Sequence, residues 1–137
     1  MSDNELQAMG EAKLEALVEV MFLAASADGE FSPVERALFL KTAETLTNGR
    51  LTTARLASWV EAAREALLRD GREARLASVK ERLPDAGVRR VALSLAIQVT
   101  AVDGVIHPSE RDLIAQTAAA LEIDREQTAE LRSLLSR

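Results

Sequence analysis

Apolar residues recur along this chain at helical spacings of three and four, and glycines and prolines interrupt the pattern at a few points. No run alternates β-branched and polar residues as a half-buried strand would. The pattern predicts seven helices. The first runs from near Asn4 to Ala27 with Gly10 as a breaking point, and its apolar stripe is Leu14, Leu17, Val18, Met21 and Ala25. The second starts at Pro33 and stops before Asn48-Gly49, where glycine suits a left-handed terminal position. The third runs from Thr52 or Thr53 to Asp70-Gly71, with Leu56, Trp59, Ala63 and Leu67 on one face. The fourth covers Arg72 to Leu83 and is stopped by Pro84. The fifth, Asp85 to Val102, is apolar almost all round and is expected at the centre of the bundle. The sixth starts at Pro108 and ends near Leu121. Asp124-Arg125-Glu126-Gln127 reads as a capping box opening a seventh helix that carries Leu131, Leu134 and Leu135.

The predicted helices contain a repeat. Asp28-Gly29-Glu30-Phe31-Ser32-Pro33-Val34-Glu35-Arg36 returns 75 residues later as Asp103-Gly104-Val105-Ile106-His107-Pro108-Ser109-Glu110-Arg111. Downstream, Leu38, Thr42, Ala43 and Leu46 match Leu113, Thr117, Ala118 and Leu121, so nine of the 19 positions from 28 to 46 are identical. The expected fold is therefore all-α: a compact bundle of about seven helices with a pseudo-two-fold repeat of helix–corner–helix units. The repeat units are about 14–47 and 89–122, inside a single domain spanning 1–137.

Backbone chemistry explains much of the repeated corner. Ser32-Pro33-Val34-Glu35 is a capping box with proline at the first helical position. His107-Pro108-Ser109-Glu110 keeps the Pro and the Glu, with His107 as the cap substitute. Gly29 and Gly104 suit the left-handed end of the preceding helix. Asp28 and Asp103 are different. Each falls at a helix C-terminus, where the macrodipole disfavours negative charge by about 0.3–1 kcal/mol. Arg36 and Arg111, loop amides or a bound cation are the candidates to compensate them.

Asp-Gly-x-hydrophobic-x-x-x-Glu also matches the second half of an EF-hand loop, but Ala24, Ser26, Val99 and Ala101 stand where that loop needs oxygen ligands. Two independent EF-hands are thereby excluded. A single shared site remains, in which Asp28, Glu35, Asp103 and Glu110 hold a hard divalent cation such as calcium, magnesium or manganese.

Composition narrows the function class. The net charge of −5 argues against nucleic acid, because phosphate binding needs a basic face. With aromatics at only 3%, base-stacking platforms are also missing. No cysteine is present, which removes disulfides and thiolate chemistry. The longest apolar stretch, Val91 to Val102, is shorter than the roughly 20 residues that span a bilayer. The acidic, polar start of the chain predicts no signal peptide. No catalytic residues stand out: the single histidine has no serine elbow beside it, and no phosphate loop or dinucleotide fingerprint is present. Trp59 reads as core. The run Arg64, Glu65, Arg69, Asp70, Arg72, Glu73, Arg75 reads as a solvated face with helix-spaced ion pairs.

The paired Asp-Gly-x-φ-x-Pro-x-Glu corners, set between apolar helices over roughly Leu14 to Leu135, resemble the tellurite-resistance TerB-like family. The resemblance implies a non-enzymatic cytoplasmic stress-response module. It also implies metal binding through clustered acidic residues, matched here by Asp28, Glu35, Asp103 and Glu110, and association with protein partners or peripheral membrane complexes. The chain departs from the family at Ala24, Ala25, Val99 and Thr100, where further acidic residues are common. Two other readings stand beside it. One is a structural docking module without metal, using an apolar groove or the charged third helix. The other is an acidic-site hydrolase.

Overall fold

Each helix start among the described residues coincides with a cap, a proline or a glycine. The computed structural model describes residues 10–27, 31–47, 49, 51–100, 108–124, 126 and 129. These form six helices and no strand: α1 (Glu11–Ala25), α2 (Pro33–Leu46), α3 (Thr53–Asp70), α4 (Arg72–Arg82), α5 (Ala86–Thr100) and α6 (Pro108–Ala120). Extended Gly10 precedes α1, so that helix begins at Glu11, at the expected Gly10 breaking point; residues 1–9 lie outside the described set. The Ser32 hydroxyl accepts from the Glu35 amide, and the Glu35 carboxylate accepts from the Ser32 amide, each at 3.1 Å. The predicted capping box is therefore formed. Thr52 caps α3, and Asp85 accepts from the Gly87 amide at the start of α5. Asp124 accepts from the Glu126 amide, while the rest of the predicted seventh helix lies outside the described residues.

α1 and α5 form the centre. From Ala16 to Ala24 every residue of α1 is buried, and this helix packs against each of the other five, most extensively against α5. The sequence pattern put the fifth helix at the centre; α1 shares that place because its run Ala16–Ala25 is apolar on every side except at Glu19. Burial of each such leucine, valine or phenylalanine contributes about 1.5–3 kcal/mol. Phe31, the apolar fourth residue of the first corner, stands edge-on between Phe22 of α1 and Phe39 of α2, with ring centroids 5.3 and 5.9 Å apart. That T-shaped chain locks the corner onto the core.

The repeat is carried into the helix boundaries. Moving 75 residues along takes Glu11 to Ala86, Ala25 to Thr100 and Pro33 to Pro108, so α1–α2 and α5–α6 are the same unit in the same register. α3 and α4 follow only the first unit among the described residues. Arg89 ties the C-terminal ends of α4 and α6 together by donating to the carbonyls of Lys80, Leu83 and Leu121.

Gly71 ends α3 and starts α4 with φ +85° and ψ 161°, a backbone state open essentially to glycine alone. A Cβ built there meets nothing within 4 Å, so any penalty is purely conformational. Gly71→Ala is expected to cost about 1–3 kcal/mol in urea denaturation; a variant as stable as the parent would contradict the strain assignment.

Candidate functional site

The run Ala16–Ala25 of α1 contains one charged residue, Glu19, and it is only 4% exposed. A buried carboxylate is tolerated only when paired and fully hydrogen-bonded. α4 supplies the partners. Arg75 and Arg82 are seven residues apart, two turns along one side of α4, flanking its buried Leu76 and Val79. Arg75 grips Glu19 with two parallel bonds, Nε to Oε2 at 2.7 Å and Nη2 to Oε1 at 2.9 Å. Arg82 Nη2 donates to the same Oε1. Arg75 also donates to Asp70, which receives Arg69 as well, so a ladder of charges runs from the core to the surface.

Burial alone would push the Glu19 carboxyl up, but the hydrogen bonds and charges of Arg75 and Arg82 outweigh it and hold the group below the ordinary glutamate value. The Arg69 hydrogen bond likewise holds the Asp70 carboxyl low. An open cleft of about 300 Å³ lies over the ladder, bounded by Glu15, Glu65, Arg69 and the half-buried Trp59. The Trp59 ring stacks under the Arg55 guanidinium at 5.3 Å, so its core role is only partial. No buried side-chain nitrogen or oxygen among the described residues lacks a hydrogen-bond partner.

The expected solvated charge run needs correction at two places. Arg64, Glu65, Arg69, Asp70 and Glu73 are exposed as expected. Arg75 instead reaches inward to Glu19. Arg72 is half-buried and donates to the Ala27 carbonyl at 3.1 Å and to Gln116 at 3.4 Å. Both depart from the expectation because α4 lies against α1 and α6, and that side of it is not free to be solvated.

Of the four predicted metal-site carboxylates, Glu35 is exposed and engaged in its capping box, and Glu110 is half-buried in the first turn of α6. Asp28 and Asp103, with His107 and the two corner glycines, lie outside the described residues. Among the described residues no group of three Asp, Glu or His side chains is placed to hold a metal ion. Arg36, one of the candidates to compensate Asp28, ion-pairs with Glu61 of α3 at 3.6 Å. The positive charge at the carbonyl end of α1 comes from Arg72, through its bond to Ala27.

Sequence reasoning passed over Glu19. The signal was there: a lone acid inside a ten-residue apolar helical run demands a cation, and α4 is the amphipathic helix with arginines two turns apart.

No family model, curated protein or solved structure matches this chain. Among the described residues no helix is long and apolar enough to cross a membrane.

Removing the Glu19 charge takes the shared buried anion from two part-buried arginines, leaving Arg75 its bond to Asp70 and Arg82 its bond to the Ser78 carbonyl. Glu19→Gln is expected to lose about 3–5 kcal/mol of stability by denaturant melts. The Glu19 carboxyl is depressed in the folded state. Its contribution is therefore fully present above the ordinary value of 4.5 and is lost as pH falls below it, through the folded value. The acid-side loss of stability in a pH series of melts should flatten in Glu19→Gln; an unchanged acid limb would show that another carboxylate drives it.

Proposed function

We propose that this chain is a non-enzymatic, TerB-like helical module that works by docking a protein partner. One observation carries the reading: the two copies of the repeat differ in how they treat their matched apolar residues. Leu113 of α6 is 0% exposed, whereas its counterpart Leu38 on α2 is 47% exposed. One turn earlier Val34 is 79% exposed, while its counterpart Ser109 is half-buried. Two large apolar side chains a turn apart in water form a binding surface more readily than a folding device, since isolated exposure is common and an aligned pair is not. The reading favours docking without a divalent cation, because among the described residues of the first corner the Glu35 carboxylate is spent on the Ser32 cap.

A photo-reactive residue placed at position 38 in the cell is expected to give a discrete protein adduct that disappears when Val34→Ser is added. The control is position 68 on α3, where Leu68 is 78% exposed, more than Leu38, but stands next to Arg69 and one turn from Arg64 and Glu65. Identical adduct patterns from both positions, or none from position 38, would defeat the interaction reading.

A further inference from the structure

The cleft over the Glu19 ladder opens where α1, α3 and α4 pack against one another. α3 lines it with Trp59, Ala62, Ala63 and Ala66, the i, i+3, i+4 and i+7 positions of one helix face. Alanine at three of those four places leaves a hollow beside the indole. The cleft volume of about 300 Å³ stands at the small end of ligand pockets, which run from about 300 to 1,000 Å³. The α3 wall is thus apolar for most of its length, and the wall made by α1 and α4 is charged.

Most of the charges around the cleft already satisfy one another. Glu19 takes Arg75 and Arg82, and Asp70 takes Arg69 and Arg75. Glu65 acts on the Arg69 charge from the α3 rim. Two groups are left over. Arg82 spends Nη2 on Glu19 and Nε on the Ser78 carbonyl, and its Nη1 has no partner among the described residues. Glu15, one turn before Glu19 on α1, is exposed, and its carboxylate has no partner among the described residues either. Both line the cleft, yet they form no ion pair with each other. Opposite charges that share a cleft without meeting leave a gap for a molecule that carries both signs.

A cation alone would answer Glu15 and leave Arg82 Nη1 open. An anion alone would do the reverse and would face the carboxylates of Glu15 and Glu65. We propose that the cleft between α1, α3 and α4 binds a small zwitterion, an α-amino acid with an apolar side chain. Its carboxylate accepts from Arg82 Nη1, its ammonium donates to Glu15, and its side chain lies on Trp59 and the alanines of α3. The part-buried setting of Arg82 makes a charge-assisted bond there stronger than one in open water. The cleft is separate from the open face of α2, so this site stands or falls independently of partner docking at Leu38.

Trp59 is the only tryptophan of the chain, so its fluorescence reports on the cleft directly. L-leucine is titrated into the full chain beside N-acetyl-L-leucine, which lacks the ammonium, and L-leucinamide, which lacks the carboxylate. Leucine is expected to give a saturable change in Trp59 emission, and each derivative to bind at least about tenfold more weakly. Glu15→Gln should weaken leucine at least about tenfold and leave N-acetyl-L-leucine unchanged, since that ligand has no ammonium to lose. Ala62→Leu, which fills the hollow from an exposed position, should abolish the response. Arg82 is left intact because it also holds Glu19. Positions 15 and 62 are both exposed, so thermal melts of the two variants should match the parent. No saturable change with leucine, or binding of either derivative as tight as leucine, overturns the proposal. So does a response that survives Ala62→Leu, which would put the ligand elsewhere.

Discussion

The Glu19 carboxylate and its two arginines set the position of α4, and the position of α4 makes the two halves of the molecule unequal. Desolvating a carboxylate costs several kcal/mol, a cost offset only when geometry is good and the oxygens are saturated. Arg75 meets that condition with a two-point grip and Arg82 adds a third bond. A hydrophobic contact would let α4 slide along α1 by small steps. A bidentate guanidinium–carboxylate pair does not, because a shift of even one residue leaves a buried charge alone. The apolar face of α4, Leu76 and Val79, with Leu83 at its C-cap, is thereby pinned in one register over α1 and α6.

The same pair explains how a duplicated unit acquires two different surfaces. The repeat keeps its helix boundaries and most of its apolar positions, yet the position that is Glu19 in the first copy is Ser94 in the second. Without a buried acid, the second α1-like helix has no reason to recruit a pair of arginines. α4 is therefore specific to one side, and Arg72 extends that choice by bonding both the end of α1 and Gln116 of α6. Asymmetry in a pseudo-symmetric bundle follows here from one side chain and the cations it requires, not from any difference in helix length.

How much of this was legible in the sequence differs by level. The six described helices, the capping box at Ser32 and the left-handed Gly49 follow from local chemistry, because proline, serine and glycine act through bonds within a few residues. The roles of Arg72 and Arg75 did not follow. Read locally, both belong to a charge run with helix-spaced partners, and nothing within four residues marks either as inward-facing. Their true partners are Ala27 and Glu19, 45 and 56 residues away, so only tertiary packing reveals them. The repeated corner gave the opposite difficulty. Its conserved spacing drew chemistry toward the four carboxylates, whereas the one corner residue whose carboxylate is described in detail, Glu35, serves its own helix end.

Exposure at matched positions is the more informative use of an internal repeat. A single exposed leucine says little, since more than half of any protein surface is contributed by apolar atoms. Leu38 and Leu113 share a residue type, a helix position and a local sequence, so propensity and composition cancel between them. The difference that remains, one half-exposed and one fully buried, is due to tertiary cover alone. The cover over Leu113 includes α4, and α4 is held there by an acid–arginine pair that the second unit lacks. The open face of α2 is thus the counterpart of the Glu19 clamp: α4 helps to cover Leu113 in the second unit, while Leu38 in the first stays 47% exposed.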